Sequence, residues 1–324
     1  MRPRTSNVTA WRILSALMAI TIFCALGVPP HASPKPNRVA TQSTPRAFAT
    51  PQEAAQALIR AAESYDVPAL LQILGPDSQD LVASQDSVAD KNRATAFAAL
   101  AREKYSVAVD PKNPARAELL AGNDEWALPI PIVKRNGRWL FDSKSGRQEI
   151  LFRRIGENEL DAIQVCRGYV EAQHEYASEK HDDSILNQYA QRIISTPGKR
   201  DGLAWQNPDG SWGGPVGESI AKVLEEGYTT SPTPYHGYYF KILKGQGPAA
   251  PMGQMDFLVQ GAMIGGFALA AAPAQYRVTG VQTFIVSHNG IVYQKDLGPD
   301  TLNTFKSMDT YNPDKTWRRT DDEW

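Results

Sequence analysis

Glu171, His174 and His181 carry the clearest metal-ligand spacing in the chain, with Asp182 next to the second imidazole. The histidines are seven residues apart, so on a continuous helix they share a face with Glu171 one turn before His174. Two imidazoles and a carboxylate set this way suit a transition metal. The plainer reading of the same residues is the polar side of an amphipathic helix. A second group, Trp205, Trp212, Tyr235, His236 and Tyr238, surrounds a glycine- and proline-rich stretch, with Tyr228 and Tyr239 beside it. Turned outward, such rings stack on sugars, cell-wall polymers or another protein, which makes these five the ligand-binding candidates. Turned inward, they fill a small core beneath the loop.

Nucleophilic chemistry has less to build on. A serine nucleophile on a sharp turn reads GxSxG, which is missing; Ser211 in "DGSWGG" is the nearest imitation. His288 stands before Asn289-Gly290, where polar residues collect for the turn itself. "GQGPAAPMGQ" and "GAMIGG" lack the lysine of a phosphate loop and the strand–turn–helix setting of a dinucleotide fingerprint. Once Cys24 leaves with the leader, Cys166 can form neither an intramolecular disulfide nor a cysteine metal site, and it reads as a buried, inert thiol. No catalytic residue and no cofactor is expected.

The elements that would position these residues form two blocks. In "ATPQEAAQALIRAAESY" Thr50 caps a helix, Pro51 takes its first position and Glu53 completes a capping box. A short helix from Asp66 stops at Gly75-Pro76, and a third runs from about Ser87 to Lys104. Strands follow. Asn136-Gly137 predicts a two-residue hairpin setting Lys134 opposite Trp139, Val133 opposite Leu140 and Ile132 opposite Phe141. Pro129 and Pro131 make that strand an edge or a bulged one.

The second block opens with a long helix from about Gln148 to Lys180, loosened at Gly156 and restarted by Asn158. A loop from Thr196 to Pro234 holds one short helix closed by Gly227. Four strands, "GYYFKILKG", "GFALAAAP", "VQTFIVS" and "IVYQKDL", complete the block, the last two turned at Asn289-Gly290. The fold class is α+β in two modules: helices plus antiparallel sheet over 48–146, and long helix plus antiparallel sheet over 147–299. A polar tail, 300–324, offers Tyr311, Trp317 and Trp324 as anchors.

A length of 324 residues suits two domains, and 42% apolar with 21% charged residues describes a soluble globular chain. The net charge of -1 leaves no basic surplus for nucleic acid. Arg2, Arg4 and Arg12 precede the 16-residue apolar run "ILSALMAITIFCALGV", with a small-residue exit near Ala32 or Ser33. Residues 1–33 therefore read as a signal peptide, or as an anchor if uncut. Residues 34–47, polar and proline-rich, read as a flexible tether. The expected location is the periplasm or cell envelope, with an envelope protein or cell-wall polymer as partner. Membrane contact is expected only through an uncut leader.

Across residues 48–324 the chain resembles the bacterial domain-of-unknown-function family numbered 2950. "WALPIPIVKRNGRWLFD", "NELDAIQVCRGYVEAQHEYA", "DGLAWQNPDGSWGGPVGESIA" and above all "GGFALAAAPAQYRVTGVQTFIVSHNGIVYQKDLG" carry the likeness. It implies a secreted or envelope protein and no established activity. The first block is also similar to NTF2-like (cystatin-like) cone folds, which implies a curved sheet wrapped on a helix around a pocket. The second resembles the globular half of type IV pilins and pseudopilins, but a whole α+β block stands before Asn158 where a pilin has its assembly helix. The expected function is a non-enzymatic binding or assembly component of the envelope. The alternatives are a periplasmic hydrolase working from loop 198–217 with His236, and a pilin-like subunit.

Overall fold

The computed structural model describes residues 45–229 and 233–320; the expected leader, the tether up to residue 44 and Trp324 lie outside the described residues. Thr50 opens the first helix as its capping box requires. Its Oγ1 accepts the Glu53 N–H at 3.1 Å, and the Glu53 carboxylate accepts the Ala49 N–H at 3.1 Å. This helix, α1 (Pro51–Glu63), buries Ala54, Ala55, Leu58, Ile59 and Ala62. Next come α2 (Val67–Leu74), the single turn α3 (Gln79–Val82), and α4 (Ser87–Glu103), whose cap Asp86 accepts the Ala89 N–H at 2.9 Å.

The chain then turns to strands β1 (Tyr105–Asp110), β2 (Asn113–Ala121), β3 (Trp126–Ala127), β4 (Ile132–Arg135) and β5 (Arg138–Phe141). They form an antiparallel sheet in the order β1-β2-β4-β5, with β3 also on β2. Asn136 and Gly137 take φ of +51° and +79°, as a primed hairpin turn requires, and the expected register holds residue for residue. Between β3 and β4 the ladder breaks at Pro129–Pro131, where prolines have no N–H to give. Phe48 exchanges two backbone bonds with Trp139, at 2.7 and 2.9 Å, and the Arg46 N–H donates to Gln72. The last residues of the expected tether are thus bonded into the fold.

Helix α5 (Ser143–Tyr176) runs unbroken for 34 residues, about 50 Å at 1.5 Å per residue. Gly156 does not loosen it, a departure from the sequence expectation. A helical glycine costs about 1 kcal/mol, and buried bonds from Arg154 and Asn158 hold the helix on either side of it. Its far end stops at Tyr176, short of the expected Lys180. The boundary expected at 146–147 falls in its first turns. Ile150 and Leu151 pack on one core, with α1, α2, α4 and the first sheet, while Ala162, Cys166, Tyr169 and Val170 lie in another.

That other core lies against the second sheet. Before it, β6 (Arg192–Ile194), β7 (Gly202–Gln206) and β8 (Trp212–Gly213) form a small sheet, followed by α6 (Gly217–Glu225). β9 (Tyr238–Leu243) is followed by the short strands β10 (Gly245–Gln246), β11 (Met255–Asp256), β12 (Leu258–Val259) and β13 (Ala262–Met263). Then come β14 (Ala268–Pro273), β15 (Gln282–Ser287), β16 (Tyr293–Asp296), α7 (Thr301–Ser307), β17 (Thr310–Tyr311) and β18 (Arg318–Arg319). The main sheet has the antiparallel order β18-β16-β15-β14-β9. Within it β14, between β15 and β9, is buried along its whole length, its small side chains letting α5 and α7 approach closely.

Two sequence expectations change here. The β15–β16 ladder ends at Ile285 opposite Tyr293, so Asn289-Gly290 sits at the tip of a wider loop. Beyond the ladder the Val292 carbonyl accepts the Thr320 N–H at 3.0 Å. The expected polar tail is part of the fold: β17 pairs with β10, β18 pairs with β16, and Tyr311 is fully buried.

Candidate functional site

In the first turn of α4 an aspartate stands on the apolar stripe that continues through Ala94, Phe97, Ala98 and Ala101. Asp90 is 3% exposed, held there because the Ser84 N–H folds back onto its Oδ2. From α5, Arg154 reaches the same place at 6% exposure. Its Nη2 lies 3.6 Å from Asp90 Oδ1, while its two Nη groups donate to the Asp80 and Leu81 carbonyls at 2.6 Å. Arg93 Nη1 stands 3.9 Å from Asp90, and Arg93 Nη2 donates to the buried Asn158 at 2.5 Å. Asn158 in turn donates to Thr279 at 2.8 Å, tying this corner to the second sheet. Burial pushes the Asp90 carboxyl above its ordinary pKa and lowers that of Arg154.

This ion pair borders a cavity of about 250 Å³, open to solvent on one side and lined by α1, α2, α3, α4, α5 and the chain from Trp126 to Ile130. One water needs about 10–15 Å³, so the hollow has room for a small molecule. Leu58, Leu70, Leu74, Phe97, Leu128 and Ile150 make its walls apolar. Trp126 also lines it, 40% exposed, with Phe97 edge-on at 6.4 Å and the Arg153 guanidinium over its ring at 5.6 Å. Two polar atoms of the lining residues, Asp90 Oδ1 and Arg154 Nε, make no hydrogen bond within the described residues. Apolar walls with a few convergent polar groups and a perturbed carboxyl are the usual composition of a small-molecule site.

A larger hollow of about 440 Å³ lies on the second sheet, lined by Glu159, Gln282, Gln294, Lys295, Asp296, Thr316 and Arg318. Its polar walls give a ligand little apolar surface to bury, so the smaller cavity has the stronger driving force.

The residues singled out by sequence lie elsewhere and do not converge. Trp205 lies under the Arg200 guanidinium at 5.2 Å and tilts against His181 at 5.6 Å. Trp212 belongs to β8, where a Cβ on the adjoining Gly213 or Gly214 would lie 2.7 Å from the Trp205 ring system. The long loop is thus locked by its own indoles. Tyr238 is fully buried and donates to the Gln282 carbonyl at 2.9 Å. Tyr235 stacks on His236 at 4.1 Å, and His236 sits between Asp161, 2.6 Å from Nδ1, and Glu226, 3.8 Å from Nε2. Tyr228 beside them donates to Asp86, which also accepts the Gly237 N–H at 2.6 Å. Ser211 is bonded to Asp209 and Asn207 rather than to a histidine.

Glu171, His174 and His181 are not brought together either. The helix ends at Tyr176, so His181 leaves the shared face and stacks on the Tyr176 ring at 3.9 Å. His174 stands edge-on to Phe267 at 5.4 Å, and Glu171 is exposed. Among the described residues no group of three or more His, Cys, Asp or Glu side chains is placed to hold a metal. Cys166 is fully buried, its thiol pushed up to about 12 by burial. Sequence reading passed over Asp90 and Arg154, although charged residues on apolar helical stripes were the signal.

Fold and cavity together define an α+β protein with a ligand-sized hollow between its N-terminal helices and the helix that joins its two cores. Residues 45–320 match the family described as protein of unknown function (DUF2950), and the chain belongs to that family. No curated protein and no solved structure matches it, so the likeness of its halves to NTF2-like cones and pilin heads stays an expectation from sequence.

Proposed function

We propose that this protein is a binding component of the cell envelope, exported by the leader expected over residues 1–33, that holds a small apolar ligand in the cavity of its first core. The single observation that carries this is the apolar hollow bordered by the buried Asp90–Arg154 ion pair. An apolar ligand held against these walls gains the free energy of taking its surface out of water. A binding role is preferred to hydrolysis because His236 is set between two carboxylates and Ser211 is engaged in its own turn. It is preferred to pilus assembly because Ala162, Cys166, Tyr169 and Val170 of the long helix are buried in its own core. An envelope protein or cell-wall polymer is the proposed partner. Solvent extraction of the protein purified from envelope fractions, followed by mass spectrometry, tests the reading. A co-purifying apolar molecule that is lost in Ala94→Trp, which fills the cavity, supports it. Equal recovery of that molecule from both proteins, or recovery from neither, overturns it.

A further inference from the structure

We propose that the polar hollow on the second sheet is a saccharide site, taking an uncharged ligand rich in hydroxyl groups. It is separate from the apolar cavity of the first core and stands whether or not that cavity is filled. The hollow measures about 440 Å³, within the usual range for ligand pockets. Strand register builds much of it. Gln282 of β15 pairs with Asp296 of β16, and Gln294, two residues before Asp296, pairs with Arg318 of β18. Paired and next-but-one residues share a face, so these four side chains stand on one side of the sheet. Glu159 joins them from α5, its Oε1 accepting the Val281 and Gln282 N–H groups at 2.8 and 3.0 Å. Lys295 stands over the Trp317 ring at 5.8 Å, and Thr316 completes the lining.

What this lining leaves unbonded decides the ligand. The Gln282 and Gln294 amides, the Lys295 ammonium and the Arg318 guanidinium make no hydrogen bond or ion pair among the described residues. All four line the hollow, and none of them is buried. Glu159 and Asp296 balance Lys295 and Arg318, so a charged ligand meets its like as well as its opposite. A small zwitterion pairs the charges and leaves the two amides unbonded. Sugar hydroxyls donate and accept at once, so one chain of rings can pair amides, carboxylates and cations together. Walls that offer an apolar ligand little to bury suit a molecule whose own surface is mostly polar.

The test titrates the full chain, followed by saturation-transfer NMR, with trisaccharides of different charge. Chitotriose and maltotriose are neutral, triglucosamine is cationic and trigalacturonate anionic; glycine serves as the zwitterion. The better neutral trimer is expected to bind at least about five-fold more tightly than any charged compound, and Gln294→Ala/Arg318→Ala to weaken it at least about ten-fold. Arg318→Ala alone, at an exposed position, serves the same purpose if the double variant does not fold. Binding of neither neutral trimer overturns the proposal, as does a preference for a charged trimer or for glycine. Unchanged binding in the variant also overturns it. None of these outcomes touches the reading of the first-core cavity, which is tested on its own.

Discussion

Asp90 on α4 and Arg154 on α5 form an ion pair 3.6 Å long at the wall of an apolar cavity, both side chains almost wholly buried. Arg154 also caps the Asp80 and Leu81 carbonyls, so one guanidinium joins a carboxylate to the end of α3. Burying two charges in an apolar core is expensive, and their attraction offsets the cost only where geometry and further hydrogen bonds are complete. Here the bonding is incomplete: Asp90 Oδ1 and Arg154 Nε make no hydrogen bond among the described residues.

Removing one partner of the pair should therefore be worse than removing both. Arg154→Met leaves the buried Asp90 only Arg93, 3.9 Å away, as a charge partner, and should lower unfolding free energy by up to about 3–5 kcal/mol. Asp90→Leu/Arg154→Met should recover a large part of that loss. Urea midpoints of the two singles and the double measure the coupling. Strictly additive losses would show that the two charges do not act as a pair.

The pH dependence has a definite sign. Burial raises the Asp90 pKa, so the folded protein holds that proton more tightly than the unfolded chain does. Its contribution to stability is fully present below the ordinary carboxylate value and is lost as pH rises through the raised one. Compared with Asp90→Asn, the unaltered protein should gain stability as pH falls through this window and run parallel outside it. Urea midpoints from about pH 7 down to about pH 3 span the carboxylate range. A relative gain with rising pH would contradict the assignment.

Two glycines of α5 should respond in opposite directions. A Cβ at Gly146 would lie 2.4 Å from the Pro129 carbonyl oxygen and 2.8 Å from Ile130 Cα, both backbone atoms. Gly146→Ala should cost about 1–3 kcal/mol through this overpacking, despite the better helix propensity of alanine. Gly156 faces open space, and Gly156→Ala should gain up to about 1 kcal/mol. Thermal unfolding of the two variants distinguishes them.

What could be read in advance was what neighbours in sequence determine. The Thr50 cap on the Glu53 N–H and the Asn136-Gly137 register rest on contacts within a few residues, and both stand in the structure as expected, though the Glu53 carboxylate takes the Ala49 N–H instead of that of Thr50. Continuity of α5 past Gly156 depends on Asn158 reaching Thr279, 121 residues away, which no local pattern reveals. The tail strands likewise depend on pairings with β10 and β16. Residue type says that Tyr238 is aromatic but not which way it faces, and of the two orientations open to it the structure takes the inward one. Asp90 was visible as a charge on an apolar stripe. Its partner Arg154 stands in another helix, and only folding places them around one cavity.

The central claim is that this cavity binds a ligand, and a dye titration of the unaltered chain beside Ala94→Trp tests it most directly. The unaltered protein should take up one N-phenyl-1-naphthylamine per chain, and the filled variant should bind it at least about ten-fold more weakly while unfolding at a similar temperature. Equal binding by both proteins, or binding by neither, would contradict the account.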